Sequence, residues 1–187
     1  MHNIAILASH NGSTFNTVYN AIKDKTLNAN IPLLISNNTN AVALQNAKDY
    51  GINNFLVNSK THENPDEEIY KLLQENNCKY VFLSGYMKKL SPLITNSFIV
   101  INSHPSLLPK HGGAGMYGRF VHEAVIKAKE EVSGVTIHRV NDVYDDGEII
   151  FQKSISLSSN ETVDSLESKI KKLELSITVE ALNICLK

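Results

Sequence analysis

Ile101-Asn102-Ser103-His104-Pro105-Ser106-Leu107-Leu108-Pro109 follows directly on Phe98-Ile99-Val100. The apolar, β-prone run that leads into it reads as a buried strand. Residues two apart on a strand point to one face, so Asn102 and His104 project side by side at the strand's end. Pro105 has no N–H to give the ladder and stops it there. An amide donor beside a titratable imidazole is a kit for holding charge on a carbonyl oxygen and moving a proton. These residues alone match equally well a strand end whose polar groups turn to solvent.

Upstream of this stretch, apolar runs alternate with helical patterns. Strands are expected at Ile4 to Ala8, Ile31 to Ile35, Phe55 to Val57, Tyr80 to Leu83 and Phe98 to Asn102. Between them, Thr14 to Lys25 carries Phe15, Val18, Ala21 and Ile22 at helical spacing. Ala41 to Tyr50 is a second helix with Gly51 near its C-cap, and Pro65 opens a third that runs to about Glu75. Ser91-Pro92 starts a short fourth. This strand–helix rhythm predicts an α/β fold: a Rossmann-like, mostly parallel sheet with helices on both faces. Ligands of such sheets bind beyond the carboxyl ends of the strands. Three polar or glycine-containing junctions fall at those ends: Ser9 to Ser13, Ser84 to Lys89, and Asn102 to His104.

Downstream the rhythm changes. His111-Gly112-Gly113-Ala114-Gly115 is a flexible loop and Arg119 to Lys129 a helix. Val132 to Val140 and Glu148 to Ser156 are strands with no crossover helix between them, so they are expected to be antiparallel. Thr162 to Cys185 reads as a long terminal helix with Leu166, Ile170, Leu173, Ile177 and Leu182 on one stripe and Asn160 as its cap. No repeat or linker interrupts the 187 residues, of which 42% are hydrophobic, and a single domain over 1–187 is expected.

A net charge of −1 argues against a protein that holds nucleic acid by bulk electrostatics. No apolar run is long enough to span a bilayer, and no basic-then-apolar leader precedes the first strand, so no membrane partner is expected. Cys78 and Cys185 form no CxxC pair, which leaves neither a disulfide framework nor a zinc signature; a reduced, cytoplasmic compartment follows.

Three further features bear on chemistry. Asn11-Gly12-Ser13-Thr14 joins a strand to a helix start, where backbone N–H groups and the helix dipole favour an anion. It is neither a GxGxxG fingerprint nor a Walker loop, and an ordinary β–α turn fits the same residues. Asp142, Asp145 and Asp146 lie in one inter-strand loop without EF-hand spacing; a solvated acidic turn accounts for them unless one lies near His104, where a carboxylate favours the imidazolium. His138 alternates with apolar residues and reads equally as a core, supporting or catalytic histidine. His2 and His10 read as surface residues, and His111 and His122 are open. Tyr86 and Met87 follow a strand end, where they line a pocket for a flat ligand or pack in the core.

Taken together, these segments resemble the folate-dependent phosphoribosylglycinamide formyltransferases. The resemblance rests on Ile101 to Pro109, on Gly134-Val135-Thr136-Ile137-His138, and on Asp142-Val143-Tyr144-Asp145-Asp146-Gly147-Glu148-Ile149-Ile150. Gly115-Met116-Tyr117-Gly118, followed by Val121-His122-Glu123-Ala124, is similar to one subgroup. The match runs from about residue 3 to 180. It implies formyl transfer from 10-formyltetrahydrofolate, as co-substrate, to the amine of 5-phosphoribosylglycinamide in de novo purine (IMP) biosynthesis, without a metal. It implies catalytic roles for Asn102, His104 and Asp145, with His138 behind them. Gly12, Ser13 and Thr14 would hold the acceptor's phosphate, and Glu174 would face the glycinamide. His62, Met87, Lys88, Lys89, Leu90, Asn102, Asn141 and Asp142 would meet the folate. Partners are then small molecules, with no nucleic acid or membrane, and the chain is expected to be a monomer or homodimer. The resemblance also implies a cis peptide at Leu108-Pro109.

Some positions depart from the family pattern. His10 replaces a small residue, Thr14 a common Asn and Lys88 a frequent Arg; His62 aligns with an Arg, and Leu175 stands where a His is common. The rival expectations are a formyltransferase for another acceptor, a methionyl-tRNA or a sugar nucleotide, and a folate-binding homologue without turnover. The tRNA enzymes add a C-terminal domain, whereas this sequence ends with its helix and is not basic.

Overall fold

The computed structural model describes residues 1–186. Its strands are β1 (His2–Leu7), β2 (Ala29–Asn30), β3 (Leu33–Ser36), β4 (Asn53–Leu56), β5 (Tyr80–Leu83), β6 (Ile99–His104), β7 (Val132–Arg139) and β8 (Ile149–Ser156). The helices are α1 (Ser13–Lys23), α2 (Val42–Asp49), α3 (Pro65–Glu75), α4 (Pro92–Thr95), α5 (Arg119–Lys127) and α6 (Val163–Cys185). The strands form one sheet in the order β4-β3-β1-β5-β6-β7-β8, and β2 pairs with β1. From β4 to β6 every pairing is parallel. β7 and β8 are antiparallel, as the absence of a crossover predicts.

Strand alternation distributes the core between two layers. Ile4, Ile6, Leu34, Tyr80, Phe82 and Ile101 pack with Phe15 and Val18 of α1 and with Leu166, Ile170 and Ile177 of α6. Their neighbours Ala5, Leu7, Leu33, Ile35, Val81, Leu83 and Val100 pack on the other face with Ile69, Leu72 and Leu73 of α3 and Ile94 of α4. Strands buried on both faces need continuous apolar sequence, which is what residues 4–7 of β1, 33–35 of β3 and all of β5 carry.

The chain runs outward from β1 to β3 and β4, then crosses back to β5 and β6. The direction therefore switches between β1 and β5. Loops diverge at such a point and leave a crevice at the carboxyl ends of the strands.

Three details differ from the expectation. Ala29–Asn30 adds a short strand beside His2 and Asn3. β6 runs on to His104 because β7 pairs with it through Asn102↔His138 and His104↔Thr136, a long-range partner that local sequence does not announce. The cap of α6 is Thr162, whose side chain accepts from the Ser165 N–H while the Ser165 side chain accepts from the Thr162 N–H. This capping box displaces Asn160 from the role.

Candidate active site

The carboxyl ends of β1, β5 and β6 open into a cavity of about 610 Å³, within the usual range for small-molecule sites. Its floor is the end of β6. Asn102 lies directly opposite His138 on the antiparallel partner, and the Asn102 amide nitrogen is 3.2 Å from His138 Nε2. His138 Nδ1 donates to the Arg139 carbonyl at 2.9 Å. That bond fixes the tautomer and leaves Nε2 as an acceptor. One amide hydrogen of Asn102 is therefore held by His138, and the second is free to serve the cavity.

His104, 2% exposed, sits between two acceptors. Its Nε2 donates to the His111 carbonyl at 2.9 Å, and its Nδ1 lies 3.4 Å from Asp145 Oδ2. A carbonyl and a carboxylate only accept, so a neutral imidazole satisfies one and turns a lone pair on the other. The imidazolium satisfies both. Burial, the largest influence on His104, pushes its pKa below the ordinary value, while Asp145 and the His111 carbonyl push it up. The charged form thus depends on the ionised Asp145. Burial also pushes His138 down, against the Arg139 carbonyl and Asp145, whose Oδ1 is 3.6 Å from Nε2.

Asp145 reaches this position from the loop between β7 and β8. Its backbone is left-handed, φ 55°, a conformation that Asp tolerates better than most residues. The Gly113 N–H donates to Asp145 Oδ2 at 3.0 Å, which ties this loop to the glycine-rich loop after β6. The Leu108-Pro109 peptide between these elements is cis.

The other wall is the start of α1. Gly12 is its N-cap, left-handed at φ 64°, and has no side chain to cap the helix; Ser84 Oγ accepts from the Phe15 N–H instead. A Cβ at Gly12 would lie 2.8 Å from the Ala43 Cβ, so glycine is required by space as well as by conformation. The Ser13 and Thr14 amides have no intrahelical partner and their residues line the cavity, as an anion site needs, whereas the Phe15 amide is taken by Ser84 Oγ. Thr14 contributes less than its hydroxyl suggests: it is buried, and Oγ1 is 2.5 Å from Ser84 Oγ. Across the cavity, α6 presents Lys171 and Glu174. Burial pushes the Glu174 carboxyl up, opposed by the Ser103 hydroxyl and Lys171.

Residues 2–182 match the formyl transferase family. The chain belongs to that family. It is 30% identical to the phosphoribosylglycinamide formyltransferase of Bacillus subtilis, over 93% of this chain and 89% of that one. It is 32% identical to the chloroplastic phosphoribosylglycinamide formyltransferase of Arabidopsis thaliana, over 97% of this chain. The chain spans 65% of the length of that plant relative and 58% of its counterpart from Vigna unguiculata. The crystal structure of phosphoribosylglycinamide formyltransferase from Bacillus halodurans superposes with a TM-score of 0.90 at 29% identity, covering 99% of this chain and 95% of that one.

Within this family fold, the cavity gathers Asn102, His104, Asp145, His138, Gly12, Ser13, Thr14, Glu174, Met87, Lys88, Lys89, Leu90 and Asn141. Two of the expected ligand contacts are not brought to it. His62 is half-buried in the link before α3, where its Nδ1 faces Thr61 Oγ1 at 2.9 Å; it lines neither this cavity nor the neighbouring one. Asp142 turns away because its Oδ1 accepts from Thr95 Oγ1 of α4 at 2.7 Å. The Lys89 ammonium lies over the Tyr144 ring, 4.9 Å from its centroid, and joins the loop after β5 to the loop before β8. Among the described residues, no group of three or more His, Cys, Asp and Glu side chains is placed to hold a metal.

Local sequence did not disclose the His111 carbonyl or the Gly113 N–H, because backbone groups carry no residue signature. Ser84 stood at a strand end that the sequence marks as a junction, but its partner is seventy positions away.

Proposed function

We propose that the chain transfers the formyl group of 10-formyltetrahydrofolate to the primary amine of 5-phosphoribosylglycinamide. Family membership and the activities named for the relatives support the reaction class and the acceptor. The observation that carries the mechanism is the His104 imidazole, buried between Asp145 and the His111 carbonyl, beside an Asn102 amide with one hydrogen to spare.

The amine lone pair attacks the formyl carbon, a C–N bond forms, and the carbonyl electron pair moves onto oxygen. Asn102 donates its free amide hydrogen to that oxyanion. The positive charge of His104 faces it, and the developing alkoxide competes with the His111 carbonyl for the Nε2 hydrogen. Collapse re-forms the C=O bond and breaks the bond to N10 of the folate. The proton lost by the amine passes to N10, and Asp145 assists through His104 and water. The amides from Gly12 to Thr14 hold the phosphate of the acceptor, and Glu174 faces its glycinamide. Met87 to Leu90 and Asn141 to Asp145 form the walls for the donor.

Offering the protein one formyl donor with several acceptors tests the assignment. Phosphoribosylglycinamide should be consumed stoichiometrically with the donor, and methionyl-tRNA and amino-sugar nucleotides should be left untouched. Consumption of another acceptor while phosphoribosylglycinamide stays inert would overturn the substrate and leave the mechanism standing.

A further inference from the structure

Two buried serines reach across between neighbouring strand ends. Ser9 follows β1, yet its hydroxyl serves the loop after β5: the Met87 N–H donates to Ser9 Oγ at 2.8 Å, and Ser9 donates onward to Asn37 Oδ1 at 2.5 Å. Ser84 follows β5, yet its hydroxyl serves the loop after β1: the Phe15 N–H donates to Ser84 Oγ at 3.1 Å, and Thr14 Oγ1 lies 2.5 Å from it. Both serines are almost fully buried, 2% and 4% exposed. The backbones cross in the same sense, since Ser9 N–H donates to the Gly85 carbonyl and Ser84 N–H to the Leu7 carbonyl.

The crossing has a consequence for ligands. The segment Met87 to Leu90 is fixed by a residue of the first loop. The start of α1 is fixed by a residue of the β5 loop. Ser9 is held in turn by Asn37, whose backbone carbonyl accepts from Asn58 Nδ2 at 3.0 Å, so this brace extends to the wall of a second cavity of about 470 Å³. The Phe15 N–H is buried and has no water to replace a lost acceptor, and the Met87 segment, 44% exposed at Met87 itself, loses the bond that fixes it.

We propose that Ser9 and Ser84 are reciprocal positioning residues: Ser9 sets the donor-binding segment and Ser84 sets the acceptor-binding loop. The inference rests on the functional reading above, which gives Met87 to Leu90 to the donor and Gly12 to Thr14 to the acceptor. Each serine then governs the substrate bound by the other strand's loop, and neither touches the reacting atoms.

The test is steady-state kinetics of Ser9→Ala and Ser84→Ala with both substrates varied. Ser9→Ala should raise KM for 10-formyltetrahydrofolate about tenfold and leave KM for phosphoribosylglycinamide within about twofold. Ser84→Ala should do the reverse. Asn37→Ala breaks the Ser9 brace from its half-buried end and should reproduce the donor-side shift; Asn37→Asp keeps an acceptor oxygen and should restore the parent value. This pair decides the matter if Ser9→Ala does not fold. KM values that rise together in the serine variants, or that shift on the serine's own strand's substrate, would overturn the inference while parent turnover leaves the functional reading intact. A parent that consumes neither substrate would overturn the functional reading and this inference with it.

Discussion

The two walls of the cavity are held by different chemistry. The wall made by β1, β3 and β5 is braced by neutral groups: Ser9, Asn37, Thr14 and Ser84 exchange hydrogen bonds across strand ends that are themselves buried on both faces. The wall made by β6, β7 and β8 is held by ionisable groups: Asp145 faces His104 and His138 from the loop between β7 and β8. Neutral hydroxyls and amides keep their partners at any ordinary pH, so the first wall is a scaffold. Imidazoles that face a carboxylate change their bonding when protonated, so the second wall is the pH-sensitive one. Parallel pairing positions the crevice, and the antiparallel addition brings Asp145 beside His104 and His138.

Cutting the ionic contact in the second wall gives the largest expected effect. Asp145→Asn keeps the shape but removes the negative charge that pushes the His104 pKa up against burial. His104→Ala removes the imidazole. Each should lower turnover by on the order of a hundredfold or more, with thermal unfolding still cooperative. Formyl transfer measured for both variants checks this, and near-parent rates in both would remove His104 and Asp145 from the mechanism.

The same division sets what a reader of the sequence can see. Tyr80–Leu83 is legible to the residue, because a strand buried on both faces must be apolar throughout. Asn102 and His104 are legible as neighbours, because period two is a local property. The end of β6 is not, since Phe98 to Asn102 gives no hint that Thr136 pairs with His104. Nor is the choice of Asp145 over Asp142 or Asp146, which depends on a left-handed residue turning one carboxylate inward while Thr95 draws Asp142 to α4. The family resemblance supplied Asp145 where spacing was silent. It also suggested His62, which the link before α3 carries away from both cavities.

Gly147 offers a milder way to disturb the second wall. A Cβ there would fall 1.8 Å from the Arg139 carbonyl oxygen and 2.8 Å from its carbon. Backbone atoms have no rotamer into which they can retreat, so in Gly147→Ala the loop bearing Asp145 must shift. The expected cost is about 1–3 kcal/mol of stability, in the range of other overpacked sites. Turnover should fall by roughly tenfold as Asp145 leaves its place beside His104. Denaturant melts alongside formyl transfer rates check both. Loss of stability with unchanged turnover would mean that Asp145 keeps its position without Gly147.

The smallest effect expected is acid sensitivity, and it too separates the walls. His122 on α5 is buried, its Nδ1 has no hydrogen-bond partner among the described residues, and burial, the largest influence, pushes its pKa below the ordinary value; Glu167 opposes that shift, and Arg119 and His104 add to it. A histidine with a lower pKa folded than unfolded binds fewer protons in the native state. Its contribution to stability is complete above the unfolded value of about 6.5 and is lost as pH falls from there through the folded value. Each unit of difference is worth about 1.4 kcal/mol. Parent protein should therefore lose stability between about pH 7.5 and 5.5. His122→Leu, which has nothing to protonate, should lose less over the same interval, whatever its stability at neutral pH. Melting temperatures of both proteins across that interval decide the matter. Equal slopes would move the acid-sensitive group from α5 to His104 and His138 in the antiparallel wall, both pushed down by burial, because the hydroxyl braces on the other side have no proton to gain.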